Sequence, residues 1–282
     1  MPTIADIIKS GEELLVEASV PDARRDSATL VGLAIGRDRA FLYSHPEYEP
    51  TGEEVGRIDE YLRRRADREP LQYIRGTQEF YGFEFEVTPD VLIPRPETEM
   101  LVERAVKILS EVKEPLILDI GTGTGCIPIS ILRCIPDAAG TAADISPEAL
   151  AVAARNLERN GVAGRLKLVR SDLFAKIPPT NFDLIVSNPP YVPEKDLAHL
   201  QPEVRDHEPH VALTDGSDGV SIIERIIKDS RHYLAPGGVL LIEMGFGQSE
   251  RVLEMAIGNG WESAEVVPDL QGIPRVLVAK SS

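Results

Sequence analysis

Positive charge is scarce in this 282-residue chain: 30 lysines and arginines stand against 46 aspartates and glutamates, a formal net charge of −16 at pH 7. A general nucleic-acid binder needs a clustered cationic footprint for phosphate, so the balance argues against that class. One local exception is Arg63, Arg64, Arg65 and Arg68, a basic run that can dock on RNA or on an acidic protein surface and whose plain reading is a solvated helix face. Long apolar runs are missing as well. No stretch approaches the roughly 18 uninterrupted apolar residues of a membrane-spanning helix. The opening Met1-Pro-Thr-Ile-Ala-Asp has neither the basic start nor the apolar run of a secretory signal, so a cytoplasmic location without membrane attachment is expected. Cysteine is nearly absent. If Cys126 and Cys134 share a helix, their Cα atoms lie about 12 Å apart at ~1.5 Å per residue, which excludes a disulfide and leaves them as small core-filling residues.

What is present has two periodicities. A chain of this length exceeds the roughly 250 residues at which single cores stop growing, so two domains are expected. Residues 1–76 read as a small helical bundle. Thr3 with Asp6 forms a capping pattern ahead of a stripe of Ile4, Ile7, Ile8, Leu14, Leu15 and Ala18. Pro21 marks a break and a restart within a first helical turn, followed by Ala28, Leu30, Val31, Leu33 and Ala34. Thr51 with Glu54 repeats the capping pattern ahead of Val55, Ile58 and Leu62. Residues 77–96 change character: Phe80, Tyr81, Phe83, Phe85 and Val87, broken by Gly82, Pro89, Pro94 and Pro96, predict a hairpin connector. A helix around Met100 to Leu109 follows, which holds Arg95 near the start of the next domain.

In residues 97–282 strands alternate with helices. Leu116–Ile120, Thr141–Ile145, Leu166–Arg170, Phe182–Ser187, Val239–Glu243 and Arg275–Ala279 are the strand candidates. The alternation predicts an α/β fold with a largely parallel sheet covered on both faces. Residues Glu262–Val267 and Arg275–Ala279 are joined by a loop too short for a crossover helix, so that last pair is expected to be antiparallel.

Leu118-Asp119-Ile120-Gly121-Thr122-Gly123-Thr124-Gly125 sits where a strand turns into a helix, and its glycines let the backbone bend sharply and approach a ligand. Position 126 is a cysteine where the dinucleotide fingerprint has its third glycine, and a Walker lysine is also absent. Asp144 closes the next strand, where an acid can accept hydrogen bonds from both hydroxyls of a ribose; its plain alternative is a helix N-cap, a role open to Ser146. Asp172 ends the third strand, placed to reach an adenine amino group. A nucleoside without a pyrophosphate fits these acids. The pattern Asp-x-Gly-x-Gly-x-Gly with Asp144 and Asp172 resembles the S-adenosylmethionine (AdoMet) half of class I methyltransferases, whose fold is a Rossmann-like seven-stranded sheet with a terminal antiparallel hairpin. That resemblance implies that Asp119, Gly121, Thr122, Gly123, Thr124 and Gly125 serve the methionine side and the loop. It assigns Asp144 to the ribose and Asp172 with Leu173 to the adenine.

Phe182 to Ser187 runs directly into Asn188-Pro189-Pro190-Tyr191. Asn-Pro alone is a common turn signal, but at the fourth strand end it suits one chemistry. An amide or exocyclic-amine nitrogen has a delocalised lone pair and must aim it at the sulfonium methyl. The Asn188 side-chain oxygen and the Pro189 carbonyl can each take one N–H, with the prolines stiffening the backbone. The nitrogen becomes a better donor as it attacks, so these acceptors favour the transition state. Tyr191 offers an aromatic face to the planar group or the passing positive charge. Methyltransferases of adenine amino groups and of glutamine amides share this tetrapeptide. Pro70 to Gly76, Glu79 to Gly82, Ile93 to Glu99, Ser187 to Val192, Glu208 to Leu213, Asp218-Gly219 and Asp269 to Gly272 together resemble the HemK-type release-factor glutamine N5-methyltransferases over nearly the whole chain. The resemblance implies that the substrate is the glutamine of the Gly-Gly-Gln tip of class-1 peptide-chain release factors and that the helical bundle helps to hold that partner; a monomer is expected, and the acidic composition leads to the expectation of no direct nucleic-acid substrate. An adenine-N6 nucleic-acid methyltransferase and a non-enzymatic partner-binding module are the rival readings. Leu173 stands where several relatives carry an aromatic residue against adenine. Pro128 falls in the first turns of the helix after the glycine loop. His207 and His210 have helical metal-ligand spacing, but Pro209 between them predicts a loop, and no metal is expected.

Overall fold

Capping boxes open two helices of the N-terminal unit. In α1 (Ile4–Glu17) the Thr3 side chain takes the Asp6 N–H while the Asp6 carboxylate takes the Thr3 N–H, and Thr51 and Glu54 do the same for α4 (Gly52–Ala66). Between them lie α2 (Ala23–Ile35), ended by Gly36 at φ 65°, and α3 (Arg39–Ser44), capped by Asp38; α5 (Leu71–Arg75) closes the series. Pro21 lies ahead of α2 rather than in its first turn. Ile4, Ile7, Leu15, Leu30, Val31, Ile58 and Leu62 form this unit's core. The expected stripes are narrower than drawn: Leu14 and Leu33 are exposed, each about 100° around the helix from a buried neighbour. The computed structural model describes residues 2–281.

The second unit begins with β1 (Thr77–Phe80) and β2 (Phe83–Glu86), antiparallel with Phe80 opposite Phe83. Tyr81 and Gly82 both have positive φ, 53° and 74°, as a two-residue hairpin turn of the primed type requires. After α6 (Glu99–Leu109) come β3 (Leu116–Ile120), α7 (Cys126–Cys134), β4 (Ala139–Asp144), α8 (Pro147–Arg159), β5 (Leu166–Arg170), β6 (Phe182–Ser187), α9 (Pro202–His207), α10 (His210–Leu213), α11 (Ser221–Ser230), β7 (Leu234–Glu243), α12 (Ser249–Gly258), β8 (Ser263–Pro268) and β9 (Pro274–Lys280). The strands form one seven-stranded sheet in the order β5-β4-β3-β6-β7-β9-β8. The first five are parallel, and β9 runs antiparallel to both β7 and β8. Successive residues of β3 and β6 alternate between two buried faces, Ile117, Leu184 and Val186 on one and Leu118, Ile120 and Ile185 on the other. Burial on both faces is why these strands read as continuous apolar runs.

Strands β4 and β7 depart most from the expected bounds. β4 starts at Ala139 and ends at Asp144, so the acid belongs to the strand itself. β7 starts at Leu234, pairing with Phe182 across a register shift; the Ala-Pro-Gly-Gly stretch after Leu234 hides this first pairing from a periodicity argument. Cys126 and Cys134 do end one helix, but only Cys126 is buried, its thiol pushed up to about 12 by that burial.

Chain contacts group the segment Gln201–His207, which contains α9, with the N-terminal helices rather than with the sheet. The arginine run explains the grouping. Arg65 is buried, its Nε 2.8 Å from Asp26 Oδ2 and its Nη2 2.9 Å from Glu203 Oε1, and Arg68 makes a fork to Glu203 at 2.9 and 2.6 Å. Arg64 pairs with Glu69 at 2.8 and 2.6 Å. Arg65 and Arg68 thus form an ion network with Asp26 and Glu203, while Arg63 is exposed and Arg64 pairs nearer the surface. Position 65 continues the Ile58 and Leu62 face one turn further, which carries a guanidinium into the core, where only charged partners make burial tolerable.

Candidate active site

The chain passes from β3 to β4 and β5 on one side of the sheet, then returns through β6 to β7 on the other. In an open parallel sheet such a reversal leaves a crevice beyond the carboxyl ends of the two central strands. Here those ends are Ile120 and Ser187, directly opposite each other, and the Ser187 hydroxyl donates to the Ile120 carbonyl at 2.7 Å. The glycine loop and Asn188-Pro189-Pro190 leave the sheet side by side. Both line one cavity of about 280 Å³.

Gly121, Gly123 and Gly125 all have positive φ, between 54° and 79°, a backbone that residues with a Cβ adopt only under strain. The Gly121 and Thr122 amides donate to the Ala143 carbonyl, and the Gly123 amide donates to Asp144 Oδ2 at 2.9 Å. Asn156 of α8 donates to the Thr124 carbonyl and exchanges two hydrogen bonds with the Glu86 backbone, which pins the loop to the end of the hairpin. Asp144 Oδ1 accepts the Ser146 N–H. Burial raises the Asp144 carboxyl above its ordinary range, opposed by the Ser146 and Gly123 amides. Each of its oxygens keeps a lone pair for the cavity. Ser146, not Asp144, caps α8 through the Ala149 amide.

Asp119 does not reach the cavity wall. It is fully buried beneath the loop, and neither of its oxygens nor the Thr122 hydroxyl has a well-formed hydrogen bond. Burial pushes its carboxyl up to about 7, the nearby Asp144 charge adding to the rise and the Thr122 hydroxyl opposing it. A buried acid with both oxygens unsatisfied suits a ligand that brings a cationic group. Asp172 and Leu173 line the cavity together with Ile145, Ile222 and Ile226. Asp172 is exposed and pairs with Arg225 at 3.0 Å, a contact worth under about 1 kcal/mol. Leu173 holds φ 44°, a left-handed conformation that costs a leucine on the order of 1–3 kcal/mol and is typical of ligand-contacting turns. A buried acid beneath the loop, a second acid with lone pairs toward the cavity, and an apolar slot together suit the cationic, ribose and adenine parts of AdoMet.

Asn188 Nδ2 donates to Thr98 Oγ1 at 3.0 Å. That commitment leaves Asn188 Oδ1 as the polar atom available to the cavity. Tyr191 is turned inward: its hydroxyl donates to Glu243 Oε1 at 3.2 Å, and neither Tyr191 nor Gly125 lines the cavity. Burial, then the Glu243 charge, raise the phenol well above its ordinary range, so it stays a neutral donor. Glu243 ends β7 at 2% exposure, its carboxyl pushed up to about 7 by burial, against the Thr98 and Tyr191 hydroxyls and the Arg275 charge. Arg95 holds the buried Glu208 at 2.5 Å, and Glu208 also accepts the Ile93 N–H. Thr98, Glu243, Arg225 and the Arg95–Glu208 pair were not singled out as site residues from the sequence, apart from the placing of Arg95 near the second domain. For Glu243 a signal existed: one acid closing the apolar run Val239-Leu-Leu-Ile.

The turn after Asn188 is held by close backbone approach. Gln248 Nε2 donates to the Tyr191 and Gly219 carbonyls at 2.9 and 3.2 Å. Gly219 has φ 82°, and a Cβ there would fall 2.2 Å from the Tyr191 oxygen. Gly219→Ala is therefore expected to displace the tetrapeptide and cut turnover by roughly tenfold or more, measured as kcat at saturating substrates beside the urea midpoint.

Among the described residues no helix is long and apolar enough to cross a membrane, and no cluster of three His, Cys, Asp or Glu residues suits a metal ion. His207 ends α9 and His210 opens α10, with Glu208 and Pro209 breaking the helix between them.

Two family models match the chain: "PrmC N-terminal domain" over residues 6–76 and "Methyltransferase small domain" over residues 97–202. A methyltransferase structure from Pyrococcus furiosus shares the fold, with a TM-score of 0.52 at 18% identity over 72% of this chain and 91% of that one. The release factor glutamine methyltransferase of Geobacter sulfurreducens is 43% identical over 98% of this chain and 95% of its own length. That of Koribacter versatilis is 42% identical over 99% and 98%. Identity at this level along essentially the whole of both chains places the protein in the release factor glutamine methyltransferase family.

Proposed function

We infer that the protein transfers a methyl group from AdoMet to the side-chain amide nitrogen, N5, of the glutamine in the Gly-Gly-Gln motif of class-1 peptide-chain release factors. The chemistry rests on one observation, the commitment of the Asn188 amide nitrogen to Thr98, which leaves Oδ1 as an acceptor in the cavity. The choice of substrate rests on the shared name of the relatives.

When bound, AdoMet supplies an electrophilic methyl on a sulfonium. Asp144 would take its ribose hydroxyls and Asp172 with Leu173 its adenine, the loop from Gly121 to Gly125 would let the backbone come close, and Asp119, buried beneath that loop, would offset the ammonium charge without lining the cavity. Asn188 Oδ1 and the Pro189 carbonyl each accept one N–H of the glutamine amide, and Pro190 stiffens that carbonyl. Held by two acceptors, the nitrogen presents its lone pair out of the amide plane. These contacts strengthen as positive charge develops on nitrogen, so they lower the barrier more than they tighten binding. Tyr191 secures the tetrapeptide from below through Glu243. The helical region 1–76 holds the release factor, 77–96 is a hairpin connector, and 97–282 carries the methyltransferase site. The protein is read as a monomer, acting in the cytoplasm where its substrate works.

Asp144→Ala is expected to weaken AdoMet on the order of ten- to a hundredfold, the loss of charge-assisted hydrogen bonds worth about 1.5–3 kcal/mol, with kcat at saturating AdoMet little changed. Titration calorimetry beside steady-state kinetics reads both. To test the substrate class, methyl-labelled AdoMet is offered with a class-1 release factor, DNA and RNA in parallel. Label on the factor supports the reading; label on nucleic acid alone replaces it with an adenine-N6 activity.

A further inference from the structure

An amide side chain can point either end at a partner, and Asn188 works as an acceptor only in one of its two orientations. Nothing in its own geometry selects that orientation, so the selection must come from what touches it. Asn188 Nδ2 touches Thr98 Oγ1 at 3.0 Å. A threonine hydroxyl has one proton and two lone pairs, and it takes either polarity toward an amide. What settles Thr98 lies one step deeper. Glu243 is buried at 2% exposure; Oε1 accepts the Tyr191 hydroxyl at 3.2 Å, Oε2 makes no well-formed hydrogen bond, and the Thr98 hydroxyl is the neighbouring donor that stabilises its charge. In its ionised form that carboxylate only accepts, and a buried oxygen without a donor is costly, so it draws the Thr98 proton inward. The Thr98 oxygen is then left with lone pairs alone toward Asn188.

We propose that Glu243 and Thr98 are positioning residues that fix the amide of Asn188: the carboxylate orients the Thr98 hydroxyl, whose oxygen accepts from Nδ2 and thereby turns Oδ1 toward the substrate nitrogen. This rests on the reading that Asn188 Oδ1 accepts a substrate N–H. The reversed amide sets Oδ1 against the Thr98 lone pairs and aims an NH2 at the substrate's own N–H, so both contacts turn repulsive. Glu243 does not line the cavity, and the hydroxyls beside its carboxyl are those of Thr98 and Tyr191. A glutamine at 243 keeps the shape but brings an NH2 that can donate to Thr98; the Thr98 proton is then free to turn to Asn188 and reward the wrong orientation.

The test compares Glu243→Gln, Thr98→Val and Thr98→Ser in the full-length enzyme, with Asn188→Ala as reference, reading kcat, the KM for release factor, the AdoMet Kd and Tm. Glu243→Gln and Thr98→Val are each expected to lose kcat on the order of ten- to a hundredfold while the AdoMet Kd stays within about twofold. Thr98→Ser, which restores the hydroxyl, is expected to stay within about threefold of wild type in kcat. The proposal is overturned if either Glu243→Gln or Thr98→Val folds, binds AdoMet and keeps wild-type kcat while Asn188→Ala is crippled. Full activity of Asn188→Ala would instead remove the reading of Asn188 itself, and the proposal with it. Should the valine variant not fold, Glu243→Gln and Thr98→Ser decide alone: a serine variant as slow as the glutamine one also overturns it.

Discussion

Replacing Asn188 with alanine is expected to lower kcat by about a hundred- to a thousandfold while leaving AdoMet affinity within about twofold. The size follows from when the interaction matters. In the ground state the glutamine amide is a planar, resonance-stabilised group that exchanges one set of hydrogen bonds for another on binding, for a net gain of about 1 kcal/mol. In the transition state its nitrogen carries developing positive charge and its N–H groups become stronger donors. Loss of one preorganised partner at that moment costs about 2.7–4 kcal/mol. Alanine also leaves the Thr98 oxygen without its donor, but that defect lies on the wall of the cavity and touches neither Asp144 nor the glycine loop. Single-turnover rates at saturating AdoMet, set beside a binding isotherm, separate the two effects; a variant that loses affinity and keeps its rate contradicts the assignment.

Arg65→Ala is expected to destabilise the chain by about 3–5 kcal/mol, the cost of leaving a buried charge without its partner. Asp26 has 7% of its side chain exposed and Arg65 the same, and Arg65 also holds Glu203 and the Glu69 carbonyl. Removing the guanidinium strands the Asp26 carboxylate in the core while Arg68 still neutralises Glu203. The Arg155–Glu86 pair, with side chains 50% and 30% exposed, is the natural comparison: Arg155→Ala is expected to cost under about 1 kcal/mol, because solvent already screens it. Urea midpoints of the two variants measure the difference. Near-equal shifts would mean that the network around Arg65 is far better hydrated than its burial implies.

Local signals in this chain were legible and long-range ones were not. Thr3 with Asp6 and Thr51 with Glu54 announce helix starts because a capping box is complete within four residues. The strand ends that carry Asp119, Asp144 and Asn188 are legible because a parallel sheet buried on both faces writes itself as short apolar runs, and function collects where those runs stop. The tethers of the site are different. Thr98 meets Asn188 across 90 positions, Tyr191 meets Glu243 across 52, and Asp172 meets Arg225 across 53; no periodicity encodes such pairs. The arginine run misled for the same reason. On the helix alone Arg65 is one more cation in a basic last turn, and only Asp26 and Glu203, supplied by α2 and by a segment far along the chain, make it a buried centre. Leu14 was misplaced because a stripe drawn at period 3.6 has blurred edges, whereas packing has sharp ones. The nitrogen target follows from the tetrapeptide's chemistry. The release factor comes from resemblance, since no charge or shape argument from the sequence names a partner.

The central claim is that this site methylates one nitrogen of one glutamine. The most direct test incubates the protein with AdoMet and a class-1 release factor, excises the peptide bearing the Gly-Gly-Gln tip, and fragments it by tandem mass spectrometry, with a factor whose tip glutamine is alanine treated in parallel. The account predicts a single added methyl on the side-chain amide of that glutamine, absent from the alanine factor and reduced at least a hundredfold in initial rate with Asn188→Ala. A methyl elsewhere in the factor, or equal methylation of the alanine factor, would contradict it.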